Sequence, residues 1–227
     1  RAGLAIAETL ARRDPANTEW QRDLSVSHNK IGDVLLAQGD GPAALKDYLA
    51  GLAIRETLAR RDPANTQWQR DLVVSHIKIG DVLVAQGDGP AALAAYRAGL
   101  AIAETLARRD PANTQWQHDL SVSHTKIGDV LVAQGDGPAA LKAYRKSLTI
   151  AETLARRDSG NAQWQVDLAV SCYKLGTTSA LPVAERRAFL LRGREIQQRL
   201  KAAGRLAPAQ DWIGAFDALL AELPAAD

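Results

Sequence analysis

Apolar residues recur along this chain at helical intervals, in two alternating kinds of block separated by short polar breaks. Trp68, Leu72, Ser75, His76, Ile79 and Leu83 fall on one face of a helix, and Leu93, Tyr96, Leu100, Ala103 and Leu106 on one face of another. The spacing predicts a helix from about Thr66 to Gln86 and a second from Pro90 to Arg109, each roughly 30 Å long. The breaks have physical causes. Pro63 pushes Asp62 out of the helical region, and Gly87-Asp88-Gly89 interrupts before Pro90, a residue suited to the first turn of a helix. Asn65 or Thr66 is expected to cap, and Thr66 with Gln69 has capping-box spacing. Gly80 and Gly99 lie inside the helices, where each costs about 1 kcal/mol against alanine; their recurrence at Gly32, Gly128 and Gly176, and at Gly51, implies close approach between helices.

This two-helix pattern is written several times. Trp20, Trp68, Trp116 and Trp164 stand 48 residues apart, and most residues between them recur at the same interval. The chain divides into a partial unit (1–17), full units (18–65, 66–113 and 114–161), a decayed unit (162–205) and a terminal helix (206–227). That last helix is expected to begin near Pro208, with Trp212, Ile213, Phe216, Leu219, Leu220 and Leu223 on one side, and to cap the array. Arg1 is in register with Arg97 and Arg145, so the sequence opens inside a repeated element and lacks methionine. The expectation is a piece of a longer array, cut at its amino end, with a true end at the carboxyl side.

Composition narrows the class. No apolar run approaches the roughly 20 residues that cross a bilayer. The 28 basic and 26 acidic residues interleave to a net charge of +2, which gives no long-range attraction for nucleic acid or an anionic membrane. A single cysteine, Cys172, is compatible with a reducing compartment, and a cytoplasmic location is expected. The Ala/Arg bias points to a GC-rich bacterial source. Glu104 with Arg108, repeated as Glu8 with Arg12, Glu56 with Arg60 and Glu152 with Arg156, are surface pairs worth a few tenths of a kcal/mol.

The string Ile79, Gly80, Leu83, Gly87, Ala92, Tyr96, Gly99 and Pro111 resembles the tetratricopeptide repeat signature. The family unit has 34 residues, and the longer unit here is accounted for by about seven extra residues, close to two turns, in each helix. Where the family often carries an aromatic, this chain has His28, His76, His124 and Cys172. The resemblance implies an all-α, right-handed superhelical solenoid of antiparallel hairpins, a single repeat domain over residues 1–227. It also implies a concave groove lined by the first helices that receives a peptide or partner helix.

Copies differ most on that face. The registers are Arg22, Arg70 and His118, with Val166 in the last copy; Val26, Val74, Val122 and Val170; Asn29, Ile77, Thr125 and Tyr173; Asp33, Asp81 and Asp129, with Thr177; and Leu36, Val84 and Val132. Valines kept on a face otherwise turned to solvent favour a partner surface. Asn29, Ile77, Thr125 and Tyr173 are expected to lie off the buried stripe.

Catalytic chemistry finds little support. The histidine column supplies one ring per unit, too far apart to close a metal shell at 2.0 to 2.1 Å, so core packing is expected, as for Cys172. The GDG turns lack the lysine and strand of a phosphate loop. Arg186, Arg187, Arg192, Arg194, Arg199, Lys201 and Arg205 outnumber Glu185 and Glu195; the plain expectation is a solvated helix side, the alternative docking of an acidic partner or a nucleic-acid backbone, for which aromatic interleaving is lacking. The expected function is a non-catalytic interaction scaffold for a protein or peptide, without cofactor, metal, nucleic acid or membrane. The alternative is a module that stacks end to end through Leu4, Ile6 and Leu10.

Overall fold

The computed structural model describes residues 2–224, and every element among them is a helix. The chain falls into two compact units, residues 1–111 and 112–227. The first holds α1 (Ala2–Arg13), α2 (Thr18–Ala37), α3 (Gly41–Arg61), α4 (Thr66–Ala85) and α5 (Gly89–Arg109). The second holds α6 (Thr114–Ala133), α7 (Gly137–Arg157), α8 (Ala162–Thr177), α9 (Val183–Ala202) and α10 (Ile213–Glu222), with a 3-10 turn at Pro208–Gln210 before the last. Within each unit consecutive helices pack on one another, hairpin upon hairpin, in the manner of a solenoid.

The breaks are built as the residues demand. Asn65 rather than Thr66 caps α4, its side-chain oxygen accepting from the Trp68 amide at 3.1 Å. Gln69 donates instead to the carbonyl of Pro63, so no capping box forms. At the other end Gly87 takes φ +80°. The Asp88 amide donates to the Leu83 carbonyl and the Gly87 amide to that of Val84, the Schellman arrangement that left-handed glycine permits. Asp88 then caps α5 through the Ala91 amide, with Pro90 in the first turn.

Gly32, Gly80 and Gly128 are where helices of one hairpin meet. A Cβ on Gly32 would lie 2.5 Å from the Tyr48 ring, and Gly80 and Gly128 press as closely on Tyr96 and Tyr144. The phenols are buried, and each donates to the aspartate that directly follows the glycine: Tyr48 to Asp33 (2.6 Å), Tyr96 to Asp81 (2.6 Å) and Tyr144 to Asp129 (2.7 Å). In the decayed hairpin Leu190 takes the tyrosine's place against Gly176.

A second recurring joint binds each hairpin to the loop before it. The guanidinium at the end of the second helix donates to a loop carbonyl: Arg61 to Ala16 (2.7 Å), Arg109 to Ala64 (3.0 Å), Arg157 to Ala112 (2.6 Å), and Arg205 to Gly160. These hydrogen bonds satisfy carbonyls exposed by the Asp-Pro-Ala-Asn turn, which is Asp-Ser-Gly-Asn in the last copy.

The terminal element departs from expectation. No α-helix starts near Pro208: a 3-10 turn occupies Pro208–Gln210 and α10 begins at Ile213. Buried Gln197 of α9 explains it, donating to the Gln210 carbonyl at 3.0 Å and accepting from the Trp212 amide at 2.7 Å. Phe216 is fully buried against Gly193. Residues 225–227, assigned to this helix from sequence, lie outside the described residues.

Candidate binding surface

Apart from Thr125, which lines a cleft, the residues expected to line a groove divide into three groups. Val26, Val74, Val122 and Val170, with Leu36 and Ile77, are half-buried, and Val84 and Val132 are each 48% exposed. These remain an aliphatic row open to water.

The charged registers are instead engaged between neighbouring hairpins. Asp33, besides holding Tyr48, accepts from Lys78 at 2.6 Å, and Asp129 from Lys174 at 2.8 Å; the Lys78 ammonium also lies 5.6 Å above the Tyr48 ring. Asp81 is engaged by Tyr96. Arg22 donates through Nε to Asp71 at 2.8 Å, and Arg70 has a partner as well. His118 takes the place of Arg22 in the second unit, its ring 5.3 Å from that of Trp164. Its Nε2 is 3.2 Å from Asp167 Oδ2, though off-line for a hydrogen bond, and its Nδ1 is 3.8 Å from Asp119. Burial opposes its charge, but the two carboxylates outweigh burial and push its pKa up to about 9.

Two candidates move off the exposed face. Asn29 is only 5% exposed, because it turns inward against Gly51. Tyr173 meets Trp212 and Phe216 edge-on, at 5.7 and 5.5 Å, so the terminal element covers it. Ile6 stays 63% exposed, whereas Leu4 and Leu10 are half-buried.

The histidine column packs as separate rings. His28 Nδ1 sits 2.8 Å from Asp47, burial lowers the pKa of His76, and burial with Lys146 lowers that of His124 to about 4. Cys172 is fully buried among Ala151, Leu168, Ile196 and Leu200, and burial pushes its thiol up to about 11. Most of the basic residues of α9 serve the frame. Arg186 donates to the Gly176 carbonyl and Arg187 to that of Leu220, while Arg192, Arg194 and Lys201 pair with Glu152, Asp217 and Asp211. Arg192 thereby takes the Glu152 carboxylate that the surface pattern assigned to Arg156, whose Nε donates to the Glu152 carbonyl instead.

The second unit also contains a cleft of about 280 Å³ among α6, α7 and α8, lined by Ser121, Thr125, Ser147 and Ser171 below and by Val122, Val170, Lys126 and Lys174 nearer the open side. Thr125 is a varying surface position in the sequence pattern, and Ser147 is not marked by that pattern. Their hydroxyls lie 2.8 Å apart inside the cleft. The corresponding place in the first unit holds the side chain of Arg55, which is 5% exposed. Sequence pattern missed Arg55; its only signal was arginine at a position where the other full units have Ala103 and Ala151.

The fold is shared with solved proteins. BtubC (BKLC) from P. vanneervenii superposes with a TM-score of 0.71 at 18% identity, over 96% of this chain and 78% of that one. The apo form of RapI gives a TM-score of 0.66 at 10% identity, over 96% of this chain and 52% of RapI, so the chain spans about half of RapI. No family model and no curated protein sequence matches the chain. The likeness is therefore one of architecture, an all-α array of helical hairpins.

Proposed function

We propose that the chain is a non-catalytic interaction scaffold whose first-helix face receives a peptide or a partner helix. The observation that carries this is the aliphatic row formed by Val26, Val74 and Leu36 in the first unit and by Val122, Val170 and Val132 in the second. Open aliphatic side chains repeated at two registers cost solubility unless a partner covers them. The charged residues around them are already paired, so the row offers apolar contact flanked by a fixed polar frame. The tetratricopeptide-like signature and the shared hairpin fold agree with a scaffold.

Selection from a random peptide display library tests this. Binders are expected whose affinity falls about tenfold or more on Val74→Asp or Val122→Asp, a change of roughly 1.4 kcal/mol. Leu49, 48% exposed on a second helix, provides the control, since Leu49→Asp should leave binding unchanged. Binders insensitive to both valines would refute the assignment of the face.

A further inference from the structure

The first unit contains a ligand of its own making. Arg55 reaches from α3 into the space between α2 and α4, where its Nε donates to Ser25 Oγ at 3.2 Å. One terminal nitrogen donates to the Asp71 carbonyl at 3.0 Å and to Ser75 Oγ at 2.6 Å. Asn29 accepts at 2.7 and 3.1 Å, with its amide oxygen assigned toward the guanidinium because the reverse orientation sets donors against donors. The fork is thus surrounded by acceptors.

Two repeat lengths further on, each of these acceptors has a counterpart. Ser25, Ser75 and the Asp71 carbonyl become Ser121, Ser171 and the Asp167 carbonyl, and Asn29 becomes Thr125. The arginine does not recur: its position is Ala151, which ends at Cβ and is buried in the apolar cluster. Ser147, standing where the first unit has Gly51, adds another hydroxyl, 2.9 Å from Ser121, 2.8 Å from Thr125 and 3.4 Å from Ser171.

Proton counting shows what this floor wants. Each hydroxyl has one proton and two lone pairs. Ser121, Thr125 and Ser171 have carbonyls within reach for their protons, at 3.2, 3.2 and 3.0 Å. Only the Ser147 proton is then left to serve the cluster, so lone pairs exceed donors. Asp167 Oδ2 adds a buried oxygen with no hydrogen-bond partner. The rim cations do not forbid a cationic guest: Lys174 is paired with Asp129, His118 faces Asp119 and Asp167, and Lys126 is engaged as well. The same arrangement, Lys78 with Asp33 and Arg22 with Asp71, surrounds the buried guanidinium of the first unit.

We propose that the cleft among α6, α7 and α8 is a receptor for a guanidinium group, supplied by an arginine side chain of a peptide lying on the first-helix face. This rests on the scaffold function above for the source of the arginine, not for the chemistry of the cleft.

The test uses Nα-acetylarginine methylamide as probe, with the neutral citrulline counterpart and the acidic glutamate counterpart as controls, followed by amide NMR shifts of the whole chain. The arginine probe is expected to saturate shifts at Ser121, Thr125, Ser147 and Ser171 with a dissociation constant on the order of 1 mM. The citrulline probe should bind about tenfold or more weakly. Ser147→Gly with Ala151→Arg supplies an internal guanidinium and should abolish the response; should that variant not fold, Thr125→Val with Ser171→Ala removes acceptors and should weaken it. Shifts that do not saturate, an equal response to citrulline, a preference for glutamate, or an unaltered response in a folded variant would overturn the receptor. Saturation by the probe with no binder from peptide selection would sink the scaffold and leave the receptor. Peptide binders selected without arginine, together with a silent probe, would do the reverse.

Discussion

The two units share a frame and differ in what occupies the space beneath it. Tyrosine on glycine, tyrosine to aspartate, lysine to the preceding aspartate and arginine to the loop carbonyl recur in both. Beneath that frame the first unit has a buried arginine bonded to serine, asparagine and a carbonyl, and the second a hydroxyl-lined cleft. Near-identical repeats therefore separate two jobs that a single domain mixes. Positions that the full copies keep hold the hairpins together, and changes at a few inward positions, Arg55 to Ala151 above all, decide whether a cleft is filled from within or left open.

Breaking the filled cleft should have the largest effect. Arg55→Met removes the donor and leaves Asn29 with a buried unpaired acceptor, at a cost of about 3 kcal/mol confined to the first unit. Urea unfolding with residue-resolved hydrogen exchange would register it as lost protection in α2 to α4 alone; equal loss in both units would contradict the separation.

The shared frame should respond alike in both units. Gly80→Ala and Gly128→Ala each push a methyl into a tyrosine ring. Overpacking, less the helix propensity recovered, leaves a net loss of about 2 kcal/mol. Thermal melts of the two variants should be lowered to the same extent, and a neutral result in either would show that its ring can move aside.

The third contrast is one of pH. Arg22 is charged throughout the accessible range, whereas His118 at the same register titrates at about 9 when folded, against about 6.5 for an ordinary histidine. A raised value means that its contribution is complete below about pH 6.5 and is lost as pH climbs through 9. His124 has the opposite sign: its value near 4 contributes fully above about pH 6.5 and less as pH falls. NMR titration of the ring protons should find these two midpoints on either side of the ordinary value. His118→Gln should remove an alkaline arm of about 1 kcal/mol, a figure discounted because 23% of the side chain meets water. Midpoints that coincide near 6.5 would dismiss both environments.

The smallest change belongs to the exposed pair Glu104 and Arg108, separated by 3.9 Å. Glu104→Gln should shift stability by under about 0.5 kcal/mol, and by less in high salt.

Helix number, breaks and the buried stripe were legible in the sequence because they depend on local geometry: periodicity, a proline that stops a turn, a glycine that bends left-handed. The burial of Cys172 and the tight packing at Gly32, Gly80 and Gly128 followed from the same logic. Asn29, Arg55 and the aspartates at 33 and 129 did not, since a polar residue in a helical pattern signals solvent unless its partner is known. Those partners, Ser75, Tyr48, Lys78 and Lys174, lie on other helices. The start of α10 was misplaced for a similar reason, because Gln197 sets it from another helix. Column-by-column differences between copies carried the remaining information. Arginine against two alanines at one register is such a difference, but by itself it says neither that the side chain turns inward nor that a cleft lies there.

The staple from arginine to the preceding loop carbonyl has a genetic corollary. Arg61, Arg109 and Arg157 each reach the same loop position one repeat earlier. Unequal recombination that inserts or deletes a whole repeat therefore creates a junction at which the staple is already correct, so such arrays can change length in whole steps without compensating mutation. The Arg55 cleft is the exception, for it also needs Ser25 and Ser75 in adjacent copies. A recombinant that placed Val73 in the position of Ser25 would strand that guanidinium, so selection should hold this pair of repeats together while its neighbours multiply or vanish.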